Sequence, residues 1–269
     1  MWVIHMKFNG DTRVKIPATI QFLRLGYKYQ SLRKADIDFA TKIFINRFKP
    51  ALEKINGRKF SYDEIKSILS EINSVINNND MDKEFYNLLI NPLDSIKLID
   101  FDNFANNDFT VVDKLSFSII EGTEEDVFRP DVNILINGIP LCFLEVKKTN
   151  NDAGIQKEFD RMVNQRLKNK DFKKFFNMIQ VVSFSNNMEY EDADAAEEVK
   201  AGLFYTTPNG QKTSFSFFRE DDENYLINYP YIKIAEDKKK DLVKGCGYDK
   251  KEADTPEFKD NLYTMYDTL

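Results

Sequence analysis

Hydrophobic residues change their spacing near residue 108, and that change limits the chain to folds that combine helices with a sheet. Residues 65–76 place isoleucine, leucine and valine at helical spacing. The stretches 108–120, 131–136 and 141–147 are instead short runs rich in Val, Ile, Leu and Phe, which are typical of strands. Asn137-Gly138 lies between the last two, and this dipeptide is a strong hairpin signal. The pattern predicts an α/β fold in which a mixed central sheet is flanked by helices.

Polar residues at fixed positions predict where the N-terminal helices begin and end. Ser61 and Glu64 match the S-x-x-E capping box that opens a helix. Ser31 is a suitable N-cap for a preceding helix that extends to Phe48. Pro50 is expected to end or kink that helix, because proline has no backbone N–H to donate, and to start a short continuation that ends near Asn56-Gly57. These signals predict a mainly helical first third of the chain.

Three further elements are expected after the predicted hairpin. An amphipathic helix is predicted over about residues 152–168, with its apolar side chains on one face. A strand is predicted over about 176–185. Residues 202–218 alternate around a Pro-Asn-Gly turn, which favours a second hairpin.

Composition excludes several classes of protein and site. The 269 residues contain one histidine and two cysteines, so His-rich metal sites, disulfide frameworks and Ser-His-Asp catalysis are not expected. Carboxylates and lysines would have to carry any catalysis. A net charge of -6 argues against a nucleic-acid coat protein but not against a nuclease, whose carboxylates hold a metal. No stretch approaches the ~20 apolar residues of a membrane helix and no signal peptide is evident, so we expect a cytoplasmic protein.

Two neighbouring predicted strands carry charged residues that could form a site. Glu145 and Lys147 are two residues apart in one strand and therefore project from the same face, while Val146 projects from the other. Asp131 begins the neighbouring strand. A three-residue turn would put Asp131 opposite Glu145, whereas a two-residue turn would put it opposite Leu144 and direct it away. The site therefore requires the odd-length connection or a β-bulge.

Two carboxylates on one face of a sheet repel each other unless a cation lies between them. A divalent metal ion with oxygen ligands meets that need, and Mg2+ is suitable because it retains several waters. Asp131, Glu145 and the backbone carbonyl of Val146 are the expected ligands. Lys147 would orient or activate the attacking water and stabilise charge in the transition state. This chemistry predicts phosphodiester hydrolysis; the alternative is a turn aspartate beside a surface Glu–Lys pair.

The same residues match a known family pattern. Pro130-Asp131 followed by Glu145-x-Lys147 resembles the PD-(D/E)xK nuclease core. The longer stretch 107–148, with its N-D-F, R-P-D, N-G-x-P-L and E-x-K segments, resembles the N-terminal domain of the restriction (motor) subunit of type I restriction-modification enzymes. Leu25-Gly-Tyr27 is similar to that family's early L-G-Y/W segment, and the resemblance spans roughly residues 15–190.

The resemblance implies a restriction-endonuclease-like core at residues 101–190, a helical subregion at 1–100 packed on it, and an extension at 191–269 that leads toward a motor domain. It implies an endonuclease that uses Mg2+, with Mn2+ able to substitute, and that cuts double-stranded DNA. Its partners would be the modification (methyltransferase) and specificity subunits, and no membrane partner is expected. ATP would serve only a motor domain absent from this chain, which has no G-x-x-x-x-G-K-[ST] loop.

Residues after the E-x-K strand are candidates for binding DNA. The family's Q-x-x-x-Y motif is replaced here by Arg161 and Gln165, which are four residues apart on one helical face. Lys148 and Arg166 could also contact phosphate. The basic cluster of this region further contains Lys168, Lys170, Lys173 and Lys174. Each of these residues could equally belong to an ordinary solvated face.

Two other functions fit the same residues. A non-catalytic module would use the fold only to dock a motor onto its methyltransferase partner. A PD-(D/E)xK nuclease of a DNA-repair system would share the core but not the complex. Divalent-metal binding that depends on both carboxylates distinguishes the enzyme from the docking module.

Overall fold

The fold is described from a computed structural model of the chain. The described residues are 14–78, 83–117, 128–147, 154–169, 172–186, 203–206 and 216–217. The helices are α1 (Ile16–Arg24), α2 (Ile45–Asn56), α3 (Tyr62–Ile76), α4 (Lys83–Ile90), α5 (Gly154–Arg161) and α6 (Lys173–Met178). The strands are β1 (Lys28–Tyr29), β2 (Phe109–Asp113), β3 (Val132–Ile136), β4 (Ile139–Val146), β5 (Val181–Ser185), β6 (Leu203–Thr206) and β7 (Ser216–Phe217).

All seven of these strands belong to one sheet, and their spatial order is their order in the chain. The β1–β2 and β4–β5 pairs are parallel, and the other pairs are antiparallel. Helix α5 lies in the crossover between β4 and β5, as a parallel pair requires. The mixed sheet and its helices confirm the predicted α/β class.

The two faces of the sheet are covered by different helices. Helix α1 packs on the face that carries Val132, Leu144 and Val146. Helices α5 and α6 pack on the opposite face, where Phe143 and Phe184 lie. Because side chains alternate along β4, Glu145 and Lys147 share the α5 face with Phe143.

A third apolar cluster joins α2, α3 and α4 to the turn end of the β3–β4 hairpin. It contains Phe48, Ile65 and Ile72 from the helices and Ile139 and Leu141 from β4. Phe44 donates its backbone N–H to the Gly138 carbonyl at 3.0 Å, so the hairpin turn sits against the start of α2. The helices before residue 100 therefore pack directly on the strands that carry the predicted site.

Two expectations for the N-terminal helices had different outcomes. The capping box is confirmed, since the Ser61 hydroxyl accepts from Glu64 N at 3.2 Å and Glu64 Oε2 accepts from Ser61 N at 2.7 Å. The helix expected from Ser31 to Phe48 is wrong, because Ser31 caps only a 3-10 turn over Leu32–Lys34. The bond from Phe44 to the hairpin turn holds Phe44 in an extended conformation, and α2 starts after it.

Pro50 does not end α2, which continues through it and ends at Asn56 with Gly57 as its C-cap, where the end was predicted. Proline at this point removes one hydrogen bond of the second turn, and the buried side chains of Phe48, Ala51 and Leu52 still hold the helix against the cluster. The strand expected from 176 begins only at Val181, because α6 occupies residues 173–178.

Several C-terminal expectations lie largely outside the described residues. Strands β6 and β7 pair antiparallel, with Phe204 opposite Phe217, which confirms the second hairpin. Of residues 191–269, the structure describes only these two strands. The predicted division into 1–100, 101–190 and 191–269 stays a prediction. Within the described part of the chain, none of the helices combines the length and apolar character needed to cross a lipid bilayer.

Candidate functional site

The register between β3 and β4 depends on a short turn followed by a bulge. Asn137 and Gly138 form a two-residue turn, with positive φ of 53° and 78°. Leu141 is the extra residue of a β-bulge, which shifts the register by one position. Beyond the bulge, Val132 pairs with Leu144. The structure therefore contains the second of the two connections that the predicted site requires.

Asp131 precedes the Val132–Leu144 pair and so lies opposite Glu145. Its Oδ2 atom accepts the backbone N–H of Val146 at 3.0 Å, and its carbonyl accepts from Lys114 N at 3.2 Å. These two bonds hold Asp131 between β2 and β4. In a strand the N–H and C=O of one residue point to the same edge. The carbonyl of Val146 is therefore directed to the edge on which Asp131 lies.

Glu145 is a buried carboxylate with only 3% of its surface exposed. Lys147 Nζ lies 4.0 Å from its Oε2 atom, as expected for residues two apart on one face. The pKa of Glu145 is raised from 4.5 to about 8, first by burial and then by the facing charge of Asp131, and the charges of Arg166 and Lys147 limit this rise. The carboxylate is thus stabilised by any cation or proton that reaches it.

Arg166, predicted only as a phosphate contact, and Glu158, which was not assigned to the site, complete a partly buried ion network. Arg166 Nη1 lies 2.8 Å from Glu145 Oε1 and 3.0 Å from Glu158 Oε1. Lys147 Nζ lies 2.9 Å from Glu158 Oε2. The guanidinium of Arg166 stacks on the Phe128 ring, with its central carbon 4.3 Å from the ring centroid. Two acids and two bases therefore balance one another in this part of the core.

A sequence signal for Glu158 and Arg166 exists in their helical positions. Buried Phe159 and Met162 form the inward stripe of this helix, and Arg166 follows Met162 by four residues. The segment Met162–Arg166 is a π-helical turn, closed by a bond from the next backbone N–H to the Met162 carbonyl at 2.9 Å. A charged residue on the apolar face of a helix is directed toward the core, where charges are normally paired. The spacing of Glu158 and Arg166 therefore indicates a pair of charges on the inner face of this helix.

The predicted DNA-binding residues Arg161 and Gln165 line an open cleft together with Lys147. The cleft has a volume of about 520 Å³, and its other lining residues are Lys157, Glu158, Asp160 and Asn164. Arg161 and Gln165 are exposed. The cleft gives the Lys147 ammonium a route to solvent, since 22% of that side chain is exposed.

The remaining basic residues have separate locations. Arg166 is directed into the ion network, and its phosphate contact stays a prediction. Lys168 Nζ contacts Asn164 Oδ1 at 3.4 Å, and Lys174 Nζ contacts Asn73 Oδ1 on α3 at 3.1 Å. Lys148 and Lys170 lie outside the described residues.

The oxygen donors of the site suit a cation that needs few protein ligands. Among the described residues, no group of three or more His, Cys, Asp or Glu side chains is placed to hold a metal ion. Asp131, Glu145 and the Val146 carbonyl could supply three oxygens. Mg2+ sites commonly use one or two carboxylates and leave the other positions to water and phosphate.

Two comparisons with known proteins identify the family of the chain. The model of the family described as type I restriction enzyme R protein N terminus matches residues 7–193. The chain is also 27% identical over 205 residues to a protein of Methanocaldococcus jannaschii that is named as the endonuclease subunit of the type I restriction enzyme MjaIXP. That alignment covers 68% of this chain but only 19% of the relative. Because the family model matches more than half of its residues, the chain belongs to the family of type I restriction enzyme R protein N termini.

Proposed function

We propose that this chain is the nuclease part of a type I restriction enzyme R subunit, with a PD-(D/E)xK site that hydrolyses double-stranded DNA with Mg2+. The observation that carries the proposal is the 3.0 Å hydrogen bond from Val146 N to Asp131 Oδ2. It brings the aspartate of one strand to the Glu-x-Lys segment of the next. Family membership supports the same assignment.

Asp131, Glu145 and the Val146 carbonyl would hold the metal ion, and Mn2+ would be able to substitute for Mg2+. When bound, such an ion lowers the pKa of a water ligand and neutralises charge on a phosphate oxygen. Lys147 orients the attacking water or stabilises the transition state from the cleft side. Glu158 holds the Lys147 ammonium at 2.9 Å, which limits the positions that the ammonium can take.

The open cleft beside α5 is where we place the DNA backbone. Arg161 and Gln165 are exposed on its wall and could each contact a phosphate, as could Lys148 just after the E-x-K segment. Such contacts carry no base specificity, so recognition of a sequence would fall to another subunit. The whole enzyme would contain modification and specificity subunits, and ATP would serve a motor domain. These partners are proposed from the family alone, because the chain matches only 19% of its relative.

Metal binding is the direct test of the site. We expect the chain to bind Mn2+ in isothermal titration calorimetry, and we expect Asp131→Asn and Glu145→Gln each to weaken that binding by at least about tenfold. Asp63→Asn, an exposed substitution on α3, is the matched control and should leave the affinity unchanged. Metal binding that survives both site substitutions would contradict the proposal.

Cleavage is tested in the R subunit assembled with its partner subunits, with plasmid DNA, ATP and Mg2+. We expect Asp131→Asn, Glu145→Gln and Lys147→Ala to abolish cleavage while the complex still translocates. Unchanged cleavage by the Glu145 variant would refute the nuclease assignment. Retained assembly with no dependence of any activity on these residues would identify a docking module instead.

A further inference from the structure

Arg166 places one positive charge between two buried carboxylates. Its Nη1 atom is 2.8 Å from Glu145 Oε1 and 3.0 Å from Glu158 Oε1. Only 15% of the Arg166 side chain is exposed, because the Phe128 ring covers one face of the guanidinium. The cation is therefore held in place by contacts on several sides and does not sample solvent as a surface arginine would.

The two carboxylates do not share Arg166 equally. The guanidinium donates a hydrogen bond to Glu145 Oε1. Glu158 Oε1 is shielded from solvent, yet it accepts no hydrogen bond from the described residues despite its closeness to the same nitrogen. Buried carboxylate oxygens are normally hydrogen-bonded. Glu158 Oε1 is thus a second acceptor, already within reach of the guanidinium.

Lys147 lies closer to Glu158 than to Glu145. Its ammonium is 2.9 Å from Glu158 Oε2 but 4.0 Å from Glu145 Oε2. In this arrangement Arg166 is the main counter-ion of Glu145, and Lys147 is the main counter-ion of Glu158. Any divalent cation that binds Glu145 must therefore do so against the charge of Arg166.

We propose that Arg166 is a positioning residue that acts as the resident counter-ion of Glu145 and competes with a divalent cation for its Oε1 atom. When a divalent cation binds Glu145, the guanidinium of Arg166 pairs with Glu158 instead. This role explains why Glu158 is buried beside an arginine that already pairs with Glu145. This inference rests on the proposed role of Glu145 as a metal ligand. It predicts opposite effects on metal affinity for substitutions at Arg166 and Glu158.

Mn2+ titration calorimetry on the chain tests the competition. Arg166→Met keeps an unbranched, largely apolar side chain but removes the guanidinium and its charge, and we expect it to tighten Mn2+ binding by about tenfold or more. Lys157→Met is the matched control. It removes the same charge from an exposed side chain of α5 and should change the affinity by less than about threefold.

Glu158→Gln tests the effect in the opposite direction on Mn2+ affinity. We expect it to weaken Mn2+ binding, because Arg166 then has only Glu145 as a charged partner. Asp160→Asn removes an equal charge from an exposed position of the same helix and should weaken binding less. Circular dichroism reports whether each variant is folded. If Arg166→Met does not fold, Arg166→Gln takes its place, since it keeps a hydrogen-bond donor without the charge.

The outcomes separate this inference from the function on which it rests. If the wild type binds Mn2+ and a folded, uncharged Arg166 variant binds it with equal or weaker affinity, the competition is overturned but the metal site is not. Binding that is lost in Glu145→Gln and tightened in Arg166→Met supports both. The absence of Mn2+ binding in every variant, the wild type included, overturns the proposed metal role together with the inference.

Discussion

The two ends of the β3–β4 hairpin bury polar groups in different ways. At the turn end, the fully buried Asn137 side chain accepts from Asp108 N at 2.7 Å and donates to Leu98 O and Asn107 Oδ1 at 2.8 Å. At the open end, Glu145 and Glu158 are nearly as buried but are acids that face the cations Arg166 and Lys147. The turn end uses neutral hydrogen bonds and the open end uses ion pairs.

The two ends of the hairpin therefore have different expected roles: the turn end stabilises the fold, and the open end carries the chemistry. A buried neutral amide with partners for its donors and acceptor is satisfied, so it fixes the hairpin against the helices. A buried ion pair costs desolvation that its attraction only partly offsets. We therefore expect substitutions at the turn end to lower stability, and substitutions at the open end to lower function while they leave stability unchanged or improved.

The largest expected effect is on cleavage, from Glu145→Gln at the open end. The variant keeps the shape of the side chain but loses the charge that a metal ion needs, and loss of several kcal/mol of transition-state stabilisation corresponds to about 10³-fold or more in rate. Urea unfolding at pH 8 should show stability equal to or above that of the wild type. Normal cleavage by this variant, or a lower free energy of unfolding, would contradict the expected difference between the two ends of the hairpin.

The second effect is a dependence of stability on pH that arises at the open end. The pKa of Glu145 is raised from 4.5 to about 8, so between these values the folded chain retains a proton that the unfolded chain releases. The free energy of unfolding should therefore fall as the pH rises from about 5 to about 8 and level off above, by on the order of a few kcal/mol.

Urea unfolding at a series of pH values measures this dependence, with Glu145→Gln as the reference that has no proton to lose at this position. The carboxyls of Glu53 and Glu64, whose pKa values are lowered to about 2 by hydrogen bonds, have their effect at more acidic pH. Equal slopes for the two proteins between pH 5 and 8 would show that Glu145 is not the source.

The third effect is on stability at the turn end, from Gly138→Ala. A Cβ atom there would lie 2.7 Å from Phe44 O and 2.8 Å from Phe48 N, which are main-chain atoms that cannot rotate away. The positive φ of 78° adds strain, and we expect a loss of about 3 kcal/mol in urea unfolding.

Gly57→Ala is the matched control for Gly138→Ala. Gly57 has a similar φ of 65°, but nothing lies within 4 Å of its added Cβ. Only the backbone strain remains, so the loss should be about 1 kcal/mol. Equal losses at the two glycines would show that the close approach of the turn to α2 is unimportant for stability.

The fourth effect, on stability at the turn end, is expected from Asn137→Gly. Glycine tolerates the left-handed φ of 53°, so the substitution removes only the side-chain hydrogen bonds and leaves Leu98 O and Asp108 N without them. We expect a loss of about 2 kcal/mol in urea unfolding. Asn103→Gly, which removes an exposed bond to Ala105 N, should cost under about 1 kcal/mol. A neutral result at Asn137 would indicate that water satisfies these groups.

Local patterns were enough to predict many elements and to select the candidate site residues. The Ser61–Glu64 box and the Asn137-Gly138 turn depend on hydrogen bonds and φ angles within a few residues, which the sequence specifies directly. The spacing of Glu145 and Lys147 likewise fixes their common face. The helix expected after Ser31 failed because a distant partner, the carbonyl of Gly138, holds Phe44 in an extended conformation.

The sequence by itself determined the α/β pattern, the hairpin and which carboxylates are candidates, because each follows from alternation, turn chemistry or nearest-neighbour spacing. Only the tertiary structure decided the bulge at Leu141 that brings Asp131 opposite Glu145. It also decided which cations face Glu145. The partners Glu158 and Arg166 come from a helix beyond the strand, and pairing across such a distance depends on how the helix packs on the sheet, which no local spacing encodes.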